Sequence, residues 1–201
     1  MTLQIISWSV VFILFAASLS LLLTKDWRWA LALLAIQYIG VFWLTQLHWT
    51  ISMAAVKLVT GWMAATTLGI TRSALDPKLA TASERSWPEG RLFRILTAAL
   101  IFIIVISGTS GIARLLPGIG LAEVAGSLTL MTMGLLLLGL TAQPLSVVIG
   151  LLTFLAGFEV LYAAVEASIL VAALLALINL GLALVGSYLL TAGLEELGAQ
   201  E

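Results

Sequence analysis

The sequence predicts an all-α, polytopic integral membrane protein with seven transmembrane helices. Of its 201 residues, 62% are hydrophobic and only 9% are charged, whereas soluble domains carry about 25% charged residues. The mean hydropathy is +1.16. Apolar stretches of about 20 residues, the length that crosses a bilayer as a helix, recur along the chain between short polar connections.

The first apolar stretch has no positively charged residue ahead of it and is about 20 residues long, so we interpret it as a retained span rather than a cleaved signal peptide. TKDWR and QLHWT separate the first three spans, and two proline-containing turns mark later connections. The turn between the last two spans is placed at residues 166–168 only because the apolar stretch that contains it is long enough for two spans. The predicted spans cover residues 3–24, 27–47, 49–71, 92–115, 120–141, 145–166 and 168–190.

Residues 72–91 form the one long polar segment, and their prolines, glycine and charges indicate a surface loop. This loop divides the chain into a three-helix segment, 1–71, and a four-helix segment, 92–201. Basic residues predict the orientation, because cytoplasmic loops of membrane proteins are enriched in Lys and Arg. With seven spans, Arg114 lies alone on one side and seven basic residues lie on the other. The prediction is an amino terminus outside, with the loop and the carboxyl terminus in the cytoplasm. The seven residues are Lys25, Arg28, Arg72, Lys78, Arg85, Arg91 and Arg94.

Two charged residues, Lys57 and Glu159, fall inside predicted spans. A charge near the middle of a bilayer costs about 2.5–3.5 kcal/mol on insertion scales, so such residues commonly mark ion pathways. At 1.5 Å per residue they reach a similar depth. Gln37 and Asn179 also lie near the centres of their spans, which predicts a polar layer contributed by four helices.

This polar layer has two interpretations. In the first, Lys57 and Glu159 exchange protons through ordered water, with Gln37 and Asn179 orienting that water. In the second, the two charges neutralise each other and hold helices together, and the amides form interhelical hydrogen bonds worth about 0.6 kcal/mol each.

Two further acidic residues lie near span ends. Glu166 follows Glu159 and Tyr162 at spacings that place all three on one helix face. It is predicted either as the mouth of a proton path or as a turn residue in contact with water. Glu123 lies about one turn inside the fifth span, where we expect a favourable interaction with the helix dipole.

Other kinds of site are excluded or disfavoured. The chain has no cysteine, which excludes disulfides and iron–sulfur clusters, and its single histidine, His48, excludes bis-histidine haem ligation. A single pigment or haem on His48 is a disfavoured alternative. There is no phosphate-binding P-loop, zinc-protease or serine-hydrolase motif. We therefore expect no catalytic residue, cofactor or metal, and the net charge of −1 suggests no nucleic-acid partner.

The last three spans contain the sequence MTMGLLLLGLTAQPLSVVIGLLTFLAGFEVLYAAVEASILVAALLALINLGLALVGSYLL. Within it, a glycine-rich span is followed by a short polar turn and then by an apolar span with the core Gly157-Phe158-Glu159. This pattern resembles the small membrane subunit K (chain 4L) of complex I and its longer relative, hydrogenase-4 component E. LLAIQYIGVF and AAVKLVTG are similar to the front half of that relative. Glu159 matches the first buried glutamate of the small subunit. Asn179 lies closest to the place of the second, and Glu166 corresponds to a carboxylate of the longer relative.

The resemblance implies a non-catalytic membrane-arm subunit of a complex-I-like or hydrogenase-like oxidoreductase, in a bacterial or archaeal cytoplasmic membrane. Its partners would be larger antiporter-like membrane subunits, and its buried charges would contribute to proton or cation translocation. An alternative is a purely structural membrane subunit of a respiratory or photosynthetic complex. A stand-alone transporter of small solutes ranks last, because the sequence shows no inverted repeats with broken helices.

Overall fold

The computed structural model describes residues 2–75, 90–116 and 118–198, and within these ranges it contains seven α-helices and no strand. Each helix is long and apolar enough to cross a membrane. This confirms the predicted all-α class and the predicted number of helices of membrane-spanning length, and it suggests a membrane protein. The helices are α1 (Thr2–Leu23), α2 (Trp27–Thr45), α3 (Ile51–Ala74), α4 (Arg91–Leu115), α5 (Leu121–Leu140), α6 (Pro144–Val165) and α7 (Ile169–Gly198).

The helix ends lie close to the predicted ones except for the carboxyl-terminal end of α7, which was predicted at residue 190 and lies at Gly198. Local chemistry explains several of the ends. The Asp26 carboxylate accepts a hydrogen bond from the Arg28 backbone N–H at 3.0 Å and so caps α2. Pro144 starts α6, where its missing N–H costs nothing. Gly118, with φ of 98°, permits the tight connection into α5. Residues 76–89 of the predicted loop lie outside the described residues.

The helices form two layers. One layer contains α4, α1, α2 and α3 in that order, and the other contains α5, α6 and α7. Between the layers, α5 packs on α4 and α1, α6 packs on α2, and α7 packs on α3. The first three helices are therefore not a separate unit from the last four, because each of them packs against a helix of the second layer.

Successive spans alternate in direction. The start of α1, the α2–α3 connection and the α6–α7 connection therefore lie at one end of the bundle, which we call the amino-terminal end. The α1–α2 and α5–α6 connections lie at the opposite, carboxyl-terminal end.

The most extensive contact joins α5 and α6, and glycines bring these two helices together. A Cβ on Gly134 would lie 2.6 Å from the backbone nitrogen of Phe154, and one on Gly157 would lie 2.7 Å from that of Met131. Such close backbone approach through small residues is typical of membrane helix pairs.

Candidate functional site

An ion pair lies inside the bundle, between α3 and α6. The Lys57 Nζ atom donates a hydrogen bond to Glu159 Oε1 at 2.7 Å, and both side chains are 0% exposed. Lys57 lies six residues after Ile51, the first residue of α3, and Glu159 lies six residues before Val165, the last residue of α6. Both Cα atoms are therefore about 9 Å along their helices from the amino-terminal end of the bundle.

Helical periodicity places both charges on faces that pack inside the bundle. On α3, the buried residues Ala54, Lys57, Gly61, Ala64 and Leu68 recur every three or four positions. This spacing forms one stripe along a helix, so the lysine points where the alanines point. On α6, a corresponding stripe contains Leu152, Ala156, Glu159 and Ala163.

Two neutral residues extend the pair across four helices. Asn179 on α7 donates its Nδ2–H to Glu159 Oε1 at 2.9 Å. The hydroxyl of Tyr38 on α2 donates to Asn179 Oδ1 at 3.3 Å. We call Tyr38, Lys57, Glu159 and Asn179 the buried charge cluster; each of the four side chains is 0% exposed. The second carboxylate oxygen, Glu159 Oε2, has no hydrogen-bond partner among the described residues.

Gly61 on α3 makes room for the tyrosine of this cluster. A Cβ at position 61 would overlap the Tyr38 ring, so a larger residue there would push the ring away. The glycine in the sequence VKLVTGW is therefore explained by the packing of the cluster on α3.

Gln37 belongs to a different network. Its Nε2 donates to the Ser18 hydroxyl of α1 at 2.7 Å, and its Oε1 accepts from the Thr153 hydroxyl of α6 at 3.1 Å. We call Ser18, Gln37 and Thr153 the amide network. Thr153 precedes Glu159 by six residues, which is about 9 Å along α6. Gln37 therefore forms its hydrogen bonds outside the buried charge cluster. Consecutive helix residues such as Gln37 and Tyr38 point about 100° apart, so Tyr38 faces Asn179 while Gln37 faces α1 and α6.

Glu166 is not on the helix face that carries Glu159. Because α6 ends at Val165, Glu166 has an extended backbone, with φ of −142° and ψ of 134°, and it is exposed. Its backbone carbonyl accepts a hydrogen bond from Trp49 Nε1 at 3.0 Å. The predicted seven-residue register between Glu159 and Glu166 does not hold.

The structure also contains contacts that the sequence interpretation did not predict. His48 Nε2 pairs with Glu123 Oε2 at the amino-terminal end of the bundle. The same glutamate oxygen accepts the backbone N–H of Gly120 at 3.0 Å, which caps α5. Tyr38 was missed although it follows Gln37 directly, because apolar periodicity does not show which neighbour a tyrosine hydroxyl will meet.

The chemistry available at the buried charge cluster is proton exchange between an acid and a base. A proton can pass between Lys57 Nζ and Glu159 Oε1 along their hydrogen bond, which converts a charged pair into a neutral one. The described part of the chain contains no group of three or more His, Cys, Asp or Glu side chains placed to hold a metal ion.

No protein-family model matches the chain, and no significant similarity to a curated protein or to a solved structure is found.

Proposed function

We propose that this chain is a non-catalytic membrane subunit of a proton- or cation-translocating assembly and that the Lys57–Glu159 pair takes part in the translocation. The sequence resemblance to subunit K of complex I and to hydrogenase-4 component E suggests the kind of assembly. Its partners would then be larger antiporter-like membrane subunits, in a bacterial or archaeal cytoplasmic membrane.

The observation that carries this proposal is a hydrogen-bonded acid and base sealed inside a membrane bundle. Helix packing alone does not need such a pair, since apolar residues of similar volume hold helices together as well or better. An ionisable pair adds the ability to accept and release a proton at a fixed depth. Glu159 Oε2, which lacks a partner in the described ranges, leaves a lone pair free for that proton.

The other residues receive supporting roles in this proposal. Asn179 holds the Glu159 carboxylate through its 2.9 Å hydrogen bond. Glu166 is exposed at the amino-terminal end of the bundle, which is the end nearer to Glu159. In this proposal it serves as the entrance for the transported ion. Gln37 orients water in the amide network, away from direct contact with the charge cluster.

A purely structural subunit of a respiratory or photosynthetic complex is the second candidate. The hydrogen bonds of the buried charge cluster favour it, because they tie α2, α3, α6 and α7 together at one level. Under this alternative the cluster affects the stability of the assembly and leaves the turnover of each assembled complex unchanged.

The test is the variant Glu159→Gln in the native membrane. We expect it to abolish coupled ion movement into vesicles, measured per assembled complex, because a glutamine cannot release a proton. Glu123→Gln is the matched control, since it removes a carboxylate outside the buried charge cluster and should retain ion movement. Full ion movement per assembled complex in Glu159→Gln would reject the proposal.

The proposed partners are tested by purification in mild detergent. We expect the chain to co-purify with larger membrane subunits in a fixed ratio. Isolation as a lone oligomer would instead favour the stand-alone transporter.

A further inference from the structure

We infer that the Trp49 side chain is a plug that closes the shortest route between the amino-terminal end of the bundle and the buried charge cluster. Trp49 lies in the connection between α2, which ends at Thr45, and α3, which begins at Ile51. The inference concerns access to the cluster rather than the reaction within it. It therefore goes beyond the proposed function and holds whether or not the ion pair moves ions.

The side chain of Trp49 turns into the bundle, although the connection around it lies at the surface. Trp49 is 3% exposed, whereas Leu47 and Thr50 on either side of it are exposed. Its indole packs with small residues of α6 and α7, and two larger side chains pack against the same group. We call this group the apolar cap; its members are Trp49, Met53, Tyr162, Ala163 and Ala172.

The apolar cap lies over the ion pair on the same helix faces. Met53 precedes Lys57 by four residues on α3, and Ala163 follows Glu159 by four residues on α6. Residues four apart lie on one face of a helix, about 6 Å apart along its axis. Because α3 starts at the amino-terminal end and α6 ends there, both cap residues lie between the ion pair and that end.

The amino-terminal route is the shorter of the two ways out of the bundle. The ion pair is about 9 Å from this end, whereas Lys57 precedes Ala74, the last residue of α3, by 17 residues, or about 25 Å. The longer way is filled by the main apolar core, which includes Leu68 and Leu152. The apolar cap is a separate cluster from that core, so its displacement leaves the core intact.

Two contacts hold the plug in place at the surface of the bundle. The Trp49 indole N–H donates to the Glu166 backbone carbonyl at 3.0 Å, which ties the plug to the α6–α7 connection. The neighbouring His48 pairs with Glu123 of α5. Both contacts lie at helix ends, where water can replace them, and such sites open more readily than a packed core. A separation of these helix ends releases the indole without unwinding a helix.

Trp49 differs from a tryptophan that anchors a helix in the lipid headgroups. Interfacial tryptophans lie at the surface, where the ring meets both lipid and water. Trp29, which is 66% exposed, has this character. Trp49 is covered by protein and bonds to a protein carbonyl, so its place is explained by what it seals. Trp29 is therefore the matched control for Trp49.

Two cysteines on α7 measure access on either side of the charge cluster. Ala176 precedes Asn179 by three residues and Ala183 follows it by four, so both share its helix face. Ala176 lies on the side of the apolar cap and Ala183 on the far side, and both are buried. Since the chain has no cysteine, a small water-soluble thiol reagent reports on the introduced residue alone. The measured quantity is the labelling rate of the purified chain in detergent.

We expect Trp49→Ala to raise the labelling rate of Ala176→Cys by about tenfold or more, because a buried thiol reacts only while the structure around it is open. The rate of Ala183→Cys should stay as it is with Trp49 present, because this residue lies beyond the cluster in the main apolar core. Trp29→Ala makes the same change in side-chain size at an exposed position and should leave both rates unchanged.

Trp49→Phe keeps an aromatic ring and removes the N–H that bonds to the Glu166 carbonyl. It should raise the labelling rate of Ala176→Cys less than Trp49→Ala does, and it decides the question on the same criteria if the alanine variant does not fold. An unchanged rate at Ala176→Cys in a folded Trp49 variant would overturn the inference. An equal rise at Ala183→Cys in a folded variant would also overturn it, because the whole bundle would then have loosened.

Discussion

Lys57 and Glu159 depend on each other for their place in the bundle. Neither side chain has any exposed surface, so neither charge is compensated by water. A lone buried charge costs several kcal/mol, and the partner recovers that cost only through a short, well-oriented contact. The 2.7 Å hydrogen bond between Nζ and Oε1 provides that contact.

Removal of one partner should therefore destabilise the protein much more than removal of both charges. We expect Lys57→Met to lower the free energy of unfolding by about 3–5 kcal/mol, because it leaves an uncompensated acid in the bundle. The double variant Lys57→Met, Glu159→Gln should recover most of that loss. Denaturant unfolding in detergent measures the free energy of unfolding of both variants. An equal loss in the single and the double variant would contradict the mutual compensation of the two charges.

The sequence predicted the two charged members of the cluster and Asn179, and it missed Tyr38. A charge inside an apolar span stands out by its solvation cost alone, without knowledge of the fold. A tyrosine does not, because its ring is apolar and its hydroxyl can bond to any nearby oxygen. The partners of Gln37 were equally hidden, since Ser18 and Thr153 are ordinary residues in membrane helices.

The helix pair α5–α6 is the most closely packed element of the fold, and it depends on residues without side chains. Gly134 and Gly157 each face the backbone of the other helix at less than 3 Å from a hypothetical Cβ. Backbone atoms cannot turn aside as a side chain can, so the two helices would have to separate.

Gly134→Ala should therefore weaken the bundle. Overpacking a closely fitted contact costs about 1–3 kcal/mol, and we expect a loss of unfolding free energy in that range. Gly181→Ala is the matched control, because its Cβ would meet no atom within 4 Å and alanine favours a helix by about 1 kcal/mol over glycine. Thermal unfolding in detergent compares the stability of the two variants. Equal effects would exclude close packing at Gly134 as the cause of its loss of stability.

The amide network gives a smaller, separate test of helix association. Thr153→Val keeps the side-chain shape and removes the hydroxyl that donates to Gln37, so we expect a loss of about 0.6 kcal/mol. Thr132→Val removes a hydroxyl that bonds within its own helix, to the Leu128 carbonyl, and should cost less. A larger loss for Thr132→Val would show that the interhelical bond contributes little.

The number and approximate bounds of the helices were predictable, and the pairing of the helices was not. Hydropathy reports which segments prefer lipid, so it finds seven spans and places their ends within a few residues, except that α7 continues eight residues past its predicted end at 190. It contains no information on which spans touch. The predicted division into 1–71 and 92–201 follows the polar loop along the chain, whereas the packing pairs α1 with α5, α2 with α6 and α3 with α7.

The direction in which the bundle crosses the membrane remains a prediction from its basic residues. Since the chain has no cysteine, single cysteines give an unambiguous measurement. Ala142 and Ala167 are both exposed, in the connections before and after α6. We expect a membrane-impermeant thiol reagent to label Ala167→Cys in intact cells and Ala142→Cys only after the membrane is opened. The reverse pattern would place the amino terminus in the cytoplasm.

The enclosure of the buried charge cluster has a consequence for its kinetics. With 0% of each side chain exposed, solvent deuterium reaches the Lys57 ammonium and the Asn179 amide only when the surrounding helices move apart. Isotope exchange at these groups is therefore governed by the frequency of helix opening rather than by the chemistry of the groups. The same opening frequency sets an upper limit on how often the interior can communicate with either side of the membrane.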